Sequence, residues 1–162
     1  MVDMPSKKLS GADNQQERLM FSWWITGFTD GEGCFSVAVI KNSTMKFGTQ
    51  IFPEFVVTQG AKSLDALKKI QLFFGCGRIF INKRYDNHNE HLYRYCVRSI
   101  KDLYTIIIPF FREHSLETYK FNDFKVFEKV VDAMVKKEHL IKEGREKIIV
   151  WMGQMNRKKK RA

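Results

Sequence analysis

The chain is short of cysteine, of acid and of long apolar runs. Its three cysteines, Cys34, Cys76 and Cys96, are an odd number and include no Cys-x-x-Cys pair. Neither a disulfide framework nor a zinc site is indicated, and a reducing compartment is the simplest inference. His88, His91, His114 and His139 show no ligand spacing either. No apolar stretch approaches the roughly eighteen residues that a membrane span needs. Residues Met1 to Gln16 are polar, with Lys7 and Lys8, and lack both the apolar core of a signal peptide and the Arg-rich amphipathic character of a transit peptide. A protein made in the organelle where it works fits that start. Acids number 18 against 28 Lys and Arg, a formal net charge of +10. Such an excess favours a polyanion as partner, against the plainer reading of a solvated basic surface.

What is present is a foldable domain. The 162 residues are 44% hydrophobic and 14% aromatic, enough for one real core and too apolar for disorder. Residues 1–15 read as a polar arm, 16–156 as a single domain, and 157–162 as a basic tail built on Arg157-Lys158-Lys159-Lys160-Arg161. No repeat or linker interrupts the domain. Within it, Gln16 to Thr29 reads as a helix. Cys34 to Ile40 alternates, Phe35, Val37 and Val39 on one side and Ser36, Ala38 and Ile40 on the other, so it is a strand. Lys41 to Thr44 is turn chemistry, and Gln50 to Gln59 is a second strand with Phe55 and Val57 inward. Lys62 to Phe74 is helical, with Leu64, Leu67, Ile70 and Leu72 as its apolar side, and Gly75-Cys76-Gly77 ends it. Arg78 to Arg84 (Ile79 and Ile81 inward) and Leu92 to Arg98 (Tyr95 and Val97 inward, Cys96 outward) form a second hairpin through Tyr85 to Asn89. Helices follow at Ile100 to Phe111, ending near Pro109, then at Glu117 to Val135, and at Lys142 to Gln154. The order is α-β-β-α-β-β-α-α(-α), an α+β domain with a curved antiparallel sheet backed by helices.

Two constellations carry chemistry. Trp23, Gly27 and Gly31 recur every four residues and share one helix face. Gly27 costs about 1 kcal/mol relative to Ala inside a helix, so its place there needs a reason. Gly at that spacing lets another backbone approach closely. Asp30 and Glu32 would then lie where two helices end side by side, and acids so placed repel unless a cation shares them. The second constellation is the outward face of the strands. It carries Ser36, Ala38, Ile40, Arg78, Phe80, Asn82, Arg84, Arg94 and Arg98, with Lys41, Asn42, Lys46 and Gln50 about the first turn. A basic antiparallel ribbon fits a DNA major groove, where Arg addresses guanine and Asn or Gln addresses adenine.

Ile25-Thr26-Gly27-Phe28-Thr29-Asp30-Gly31-Glu32-Gly33 resembles the LAGLIDADG motif of homing endonucleases, with Glu32 where the motif name has Asp. Phe55 to Gln59, Gly75 to Ile79, Pro109 to Phe111 with Thr118 to Phe124, and Glu143 to Ile148 with Met155-Asn156 are similar to further segments of the family. The resemblance implies the αββαββα LAGLIDADG fold. It also implies an enzyme, a metal-dependent endonuclease cutting both strands of a long pseudo-palindromic DNA site. One motif per chain implies a homodimer whose motif helices meet along Trp23, Gly27 and Gly31. By the same resemblance Glu32, with the Gly31 carbonyl, would hold Mg²⁺ or Mn²⁺; Asp30 would orient the motif, and Gln59 would position solvent. Lys120 would supply the catalytic cation, with Thr118, Arg112 and Lys62 as competitors for that place. The family setting is an organelle intron, in the mitochondrion above all. The same fold serves intron maturases, which bind intron RNA, and non-cleaving DNA-binding proteins, so both stand as alternatives.

Overall fold

A computed structural model describes residues 11–83 and 91–155. Arg84, the hairpin loop at 85–89, the first ten residues and the basic tail lie outside the described residues. Helix α1 (Gly11–Glu32) is followed by strands β1 (Gly33–Lys41) and β2 (Thr49–Gly60), then helix α2 (Leu64–Phe74). Strands β3 (Arg78–Asn82) and β4 (Leu92–Val97) come next. Helical segments α3 (Ile100–Asp102) and α4 (Ile108–Glu113) flank a π-helical stretch, Leu103–Ile107. Helices α5 (Lys120–Val135) and α6 (Lys142–Met152) complete the order. The four strands form one antiparallel sheet in the order β1-β2-β4-β3. The fold is that of the α+β class expected.

Alternation in the strands explains the layering. Phe35, Phe55, Val57, Tyr95 and Val97 point to the helix side and are fully buried. Phe35 is the hub of the core: its ring lies 5.0 Å from Phe55, 5.2 Å from Phe111 and Phe124, and 5.3 Å from Phe127. Phe35→Ala would cost about 3–5 kcal/mol by the usual cavity penalty. Because Phe35 follows the motif by two residues, this core also fixes where α1 ends. Pro53 pairs with Val37 of β1 and lies ahead of the pairing with β4, which begins at Phe55.

Several sequence expectations are corrected. Helix α1 starts at Gly11, inside the stretch read as an arm, and runs through the whole motif to Glu32; no Gly-rich turn intervenes before β1. Gly33 makes that direct junction possible, since a Cβ there would sit 2.6 Å from Thr29 Cγ2 and 2.9 Å from the Thr29 carbonyl. Pro109 does not end its helix. Ile108 N–H donates to the Leu103 carbonyl in a π turn just upstream, and α4 starts with Pro109 in its first turn, where a missing N–H is tolerated. Leu72 is 84% exposed and Ile81 55% exposed, so neither is core; Phe74 closes α2 instead, before Gly75 at φ 64°. Cys96 is on the outward face, yet it is buried. Helix α5 begins at Lys120 instead of Glu117, for a reason found at the site.

Candidate functional site

The end of α1 is tied to the start of α5. The Asp30 carboxylate accepts from the backbone N–H of Glu117 at 2.7 Å, from that of Thr118 at 3.3 Å, and from the Thr118 hydroxyl at 2.7 Å. Thr118 Oγ1 in turn accepts from Lys120 N–H at 3.3 Å. Asp30 thus holds the turn at residues 117–118 that leads into α5, whose own N-cap residue, Tyr119, has no side-chain capping bond. The Lys120 ammonium reaches back the other way, donating to the carbonyls of Thr29 at 2.7 Å and Asp30 at 2.9 Å. Those are carbonyls from the negative end of the α1 dipole, a favourable place for a cation. Burial pulls the Lys120 ammonium below the ordinary lysine range, with Cys34 and the carboxylates of Asp30, Glu32 and Asp123 opposing the shift. Burial pushes the neighbouring Cys34 thiol up.

Glu32 contrasts with Asp30. It is exposed, and its carboxylate makes no hydrogen bond or ion pair among the described residues. Gln59 lies near the end of β2; the register pairs Gly33 with Val57, so the end of α1 and the end of β2 run side by side. The competitors for the cationic role are placed elsewhere or differently. Arg112 is bound by Glu128 and lies 3.8 Å from Asp132, between α4 and α5. Thr118 is engaged by Asp30, and Lys62 lies in the turn that follows β2. Trp23, Gly27 and Gly31 line an exposed strip of α1 together with Leu19 and Met20. A Cβ added at Gly27 or Gly31 would meet nothing within 4 Å. Trp23 stays 51% exposed although its ring edge meets His114 at 5.0 Å.

The outer face of the sheet holds Ser36, Ala38, Ile40, Gln50, Arg78, Phe80, Asn82, Arg94 and Arg98 in one cross-strand array. Lys41 is exposed at its edge, Lys46 lies over the Phe47 ring, and Asn42 donates to the Gln50 side chain at 3.1 Å. Sequence reasoning took Arg94 and Arg98 as unopposed cations and missed Glu54. Its carboxylate is buried between them, accepting from Arg94 Nη2 at 2.9 Å and from Arg98 Nε. The only sequence signal was a lone acid at an outward position beside Pro53.

Comparison with known proteins agrees with this geometry. The LAGLIDADG endonuclease family model matches residues 25–131. The probable intron-encoded endonuclease 2 of Neurospora crassa is 33% identical over 126 residues, covering 78% of this chain and 25% of that protein. The crystal structure of the homing endonuclease I-TnaI superposes with a TM-score of 0.74 at 39% identity, covering 83% of this chain and 87% of that one. I-SmaMI bound to cleaved DNA gives 0.76 at 38% identity, covering 84% of this chain and 44% of that one. The chain belongs to the LAGLIDADG endonuclease family. It spans about a quarter of the length of the curated relatives it matches first.

Proposed function

We propose that the chain is a site-specific homing endonuclease that hydrolyses both strands of a long, pseudo-palindromic DNA target, with Mg²⁺ or Mn²⁺ as cofactor and a second copy of itself as partner. The observation that carries this reading is the difference between two acids two residues apart: Asp30 is consumed by α5, whereas Glu32 keeps its carboxylate open.

Metal chemistry fits the residues present. Glu32 is an unengaged hard oxygen donor at the negative end of a helix, which suits a hard divalent cation. Among the described residues no three His, Cys, Asp or Glu side chains converge on a metal position. One carboxylate per chain is what a site shared across two copies requires. The exposed strip of Trp23, Gly27 and Gly31 would bring the two Glu32 side chains together. With the Gly31 carbonyl as a second candidate ligand, a bound ion would polarise the scissile phosphate and favour an attacking hydroxide. The chain's own groups do the rest. Asp30 fixes the angle between α1 and α5. Lys120, held on the α1 carbonyls, offers positive charge where negative charge develops on phosphate. Gln59 can orient an attacking water by its amide.

Symmetry then has each protomer's sheet read one half-site, with Arg78, Asn82 and Gln50 among its contacts to bases and Lys41 and Lys46 toward phosphates. The name of the Neurospora crassa relative supports an intron-encoded origin, and an organelle genome such as the mitochondrial one is the setting proposed. The test is cleavage of a randomised duplex library in Mg²⁺ beside Ca²⁺, with the mass of the protein in solution measured in parallel. Cutting at a narrow set of long, near-palindromic sites in Mg²⁺ alone, by a species of twice the chain mass, is expected. Binding without cutting in either metal would overturn the nuclease reading, and tighter binding to intron RNA than to DNA would replace it with a maturase.

A further inference from the structure

The outer sheet face contains one feature that a merely basic surface has no use for. Glu54 is only 8% exposed, on β2, and two arginines of the neighbouring strand region converge on it. Arg94 Nη2 donates to one carboxylate oxygen at 2.9 Å, and Arg98 Nε donates to the other. The Arg98 guanidinium also lies over two rings, Phe80 at 5.0 Å and Phe52 at 5.6 Å from their centroids. Bonding to Glu54 pushes the Arg98 guanidinium up, so it stays charged throughout.

A buried carboxylate on a nucleic-acid face is costly in two ways. It must be desolvated, and it repels phosphate. Its return is geometric. An unrestrained arginine is long and samples many rotamers, so it can swing to the nearest phosphate on any sequence. Arg98 cannot. One nitrogen is bound to Glu54 and its plane is held by Phe52 and Phe80, so its remaining N–H groups point in a fixed direction. Arg94 is tethered through a single Nη and keeps its other donors. Both side chains remain about a third or more exposed, 34% for Arg94 and 40% for Arg98, so their outer edges are open to a groove. A fork held at a fixed angle is what bidentate readout of a guanine edge requires.

We infer that Glu54 is a positioning residue for sequence readout: by holding Arg94 and Arg98 on the outer sheet face, with Arg98 also set against Phe52 and Phe80, it directs them to base edges and withholds them from phosphate. The inference rests on the reading of this face as the DNA-reading surface. Two substitutions separate charge from geometry. Glu54→Gln removes the negative charge with little change of shape. Arg98→Lys keeps the positive charge but removes Nε and the flat stacking plane.

The experiment measures equilibrium binding of the full chain to its selected target duplex and to a scrambled duplex, across a range of KCl concentrations, with thermal melting to verify folding. Glu54→Gln should bind the scrambled duplex several-fold more tightly at low salt. Its salt dependence should steepen by about 0.9 per added phosphate contact, up to two such contacts, and its preference for target over scrambled duplex should fall about tenfold. Arg98→Lys should lose a similar part of that preference with scrambled binding and salt slope unchanged. A folded Glu54→Gln protein with unaltered preference and slope would overturn the inference. Should that variant fail to fold, Arg98→Lys decides, and full retention of preference overturns it. If the unmutated chain itself shows no preference for any duplex, the site-specific nuclease reading fails first and this inference falls with it.

Discussion

Two carboxylates in this molecule receive opposite treatment. Glu54, on the outer face of the sheet, is buried and bound by two arginines. Glu32, at the end of α1, is exposed and bound by nothing among the described residues. On the proposed function, the contrast follows from what each region would have to do. A reading surface works by holding donors still, so its acid is spent inside the protein. A cleavage site works by keeping affinity for a cation in reserve, so its acid must remain open. Asp30, two residues from Glu32, shows that the helix end can also spend an acid when geometry calls for it.

The sharpest way to break the comparison is Glu32→Gln. Cleavage in Mg²⁺ should fall by on the order of 10³ or more, as when a charge at the reacting centre is removed. Affinity for the target measured in Ca²⁺ should stay within about threefold, because Glu32 belongs to no reading element. Normal cutting by this variant in Mg²⁺ would show that the open acid is not the metal's.

Lys120 comes next. Lys120→Met should slow cleavage by on the order of 10², the usual scale for one electrostatic donor. The pH profile adds a separate check. Because burial holds the folded pKa below the ordinary lysine value of 10.5, activity that needs the ammonium should decline at a pH below that value. Lys120→Arg should move this decline to higher pH. The stability sign is the reverse. A depressed lysine binds its proton less well folded than unfolded, so its contribution to stability should rise with pH between the folded value and 10.5. Raised thiol and phenol groups, Cys34, Cys76, Cys96 and Tyr95, act the other way in the same region, so the check is the difference between wild type and Lys120→Met: urea midpoints of wild type that fall relative to that variant across the window would contradict the placement of Lys120.

How much of this could be read from the chain depends on the range of the contacts. The element order and the sheet were legible because alternation and helical spacing are local: Phe35, Phe55 and Val57 reveal the buried side of their strands without any partner being known. The motif was legible for the same reason. What stayed hidden is non-local. Glu54 meets partners 40 and 44 residues away, so its neighbours in sequence give no hint that it is buried. Asp30 binds residues 87 and 88 positions downstream and holds them in a turn, which is why α5 starts three residues later than the spacing predicts. Pro109 misled for a different reason. The break it normally causes is absorbed by a π turn that no local preference marks.

Asp30→Asn tests the spent acid directly. It keeps the shape but weakens three charge-assisted hydrogen bonds, and a cost of about 1–3 kcal/mol to folding is expected. Denaturant melts should show it, and cleavage should drop with it through loss of the α1–α5 angle. An unchanged melting midpoint would mean that residues 117–118 hold their turn without Asp30.

The smallest effect expected lies at the far end of the sheet, where a buried cation replaces a buried acid. Arg145 of α6 is 8% exposed, donates from Nη2 to Thr49 Oγ1, and lies over the Phe47 ring at 5.4 Å. No carboxylate pairs with it among the described residues. Removing it relieves the cost of a desolvated guanidinium while losing one hydrogen bond and one ring contact. These oppose, so Arg145→Met should change folding stability by less than about 1 kcal/mol. Its consequence should appear in binding instead. Thr49 and Phe47 form the base of the β1–β2 hairpin that carries Lys41, Asn42, Lys46 and Gln50, and Arg145 adds a polar link from α6 to that hairpin beside the packing of Ile51 on Ile148. Loosening it should weaken target affinity a few-fold, with the preference lost confined to the base pairs read by that hairpin and the cleavage rate at saturating DNA unchanged. Thr49→Val should reproduce the pattern, and the double variant should add little to either single one, since both cut the same link. Additive losses would mean that the hairpin is held by Arg145 and Thr49 through separate contacts.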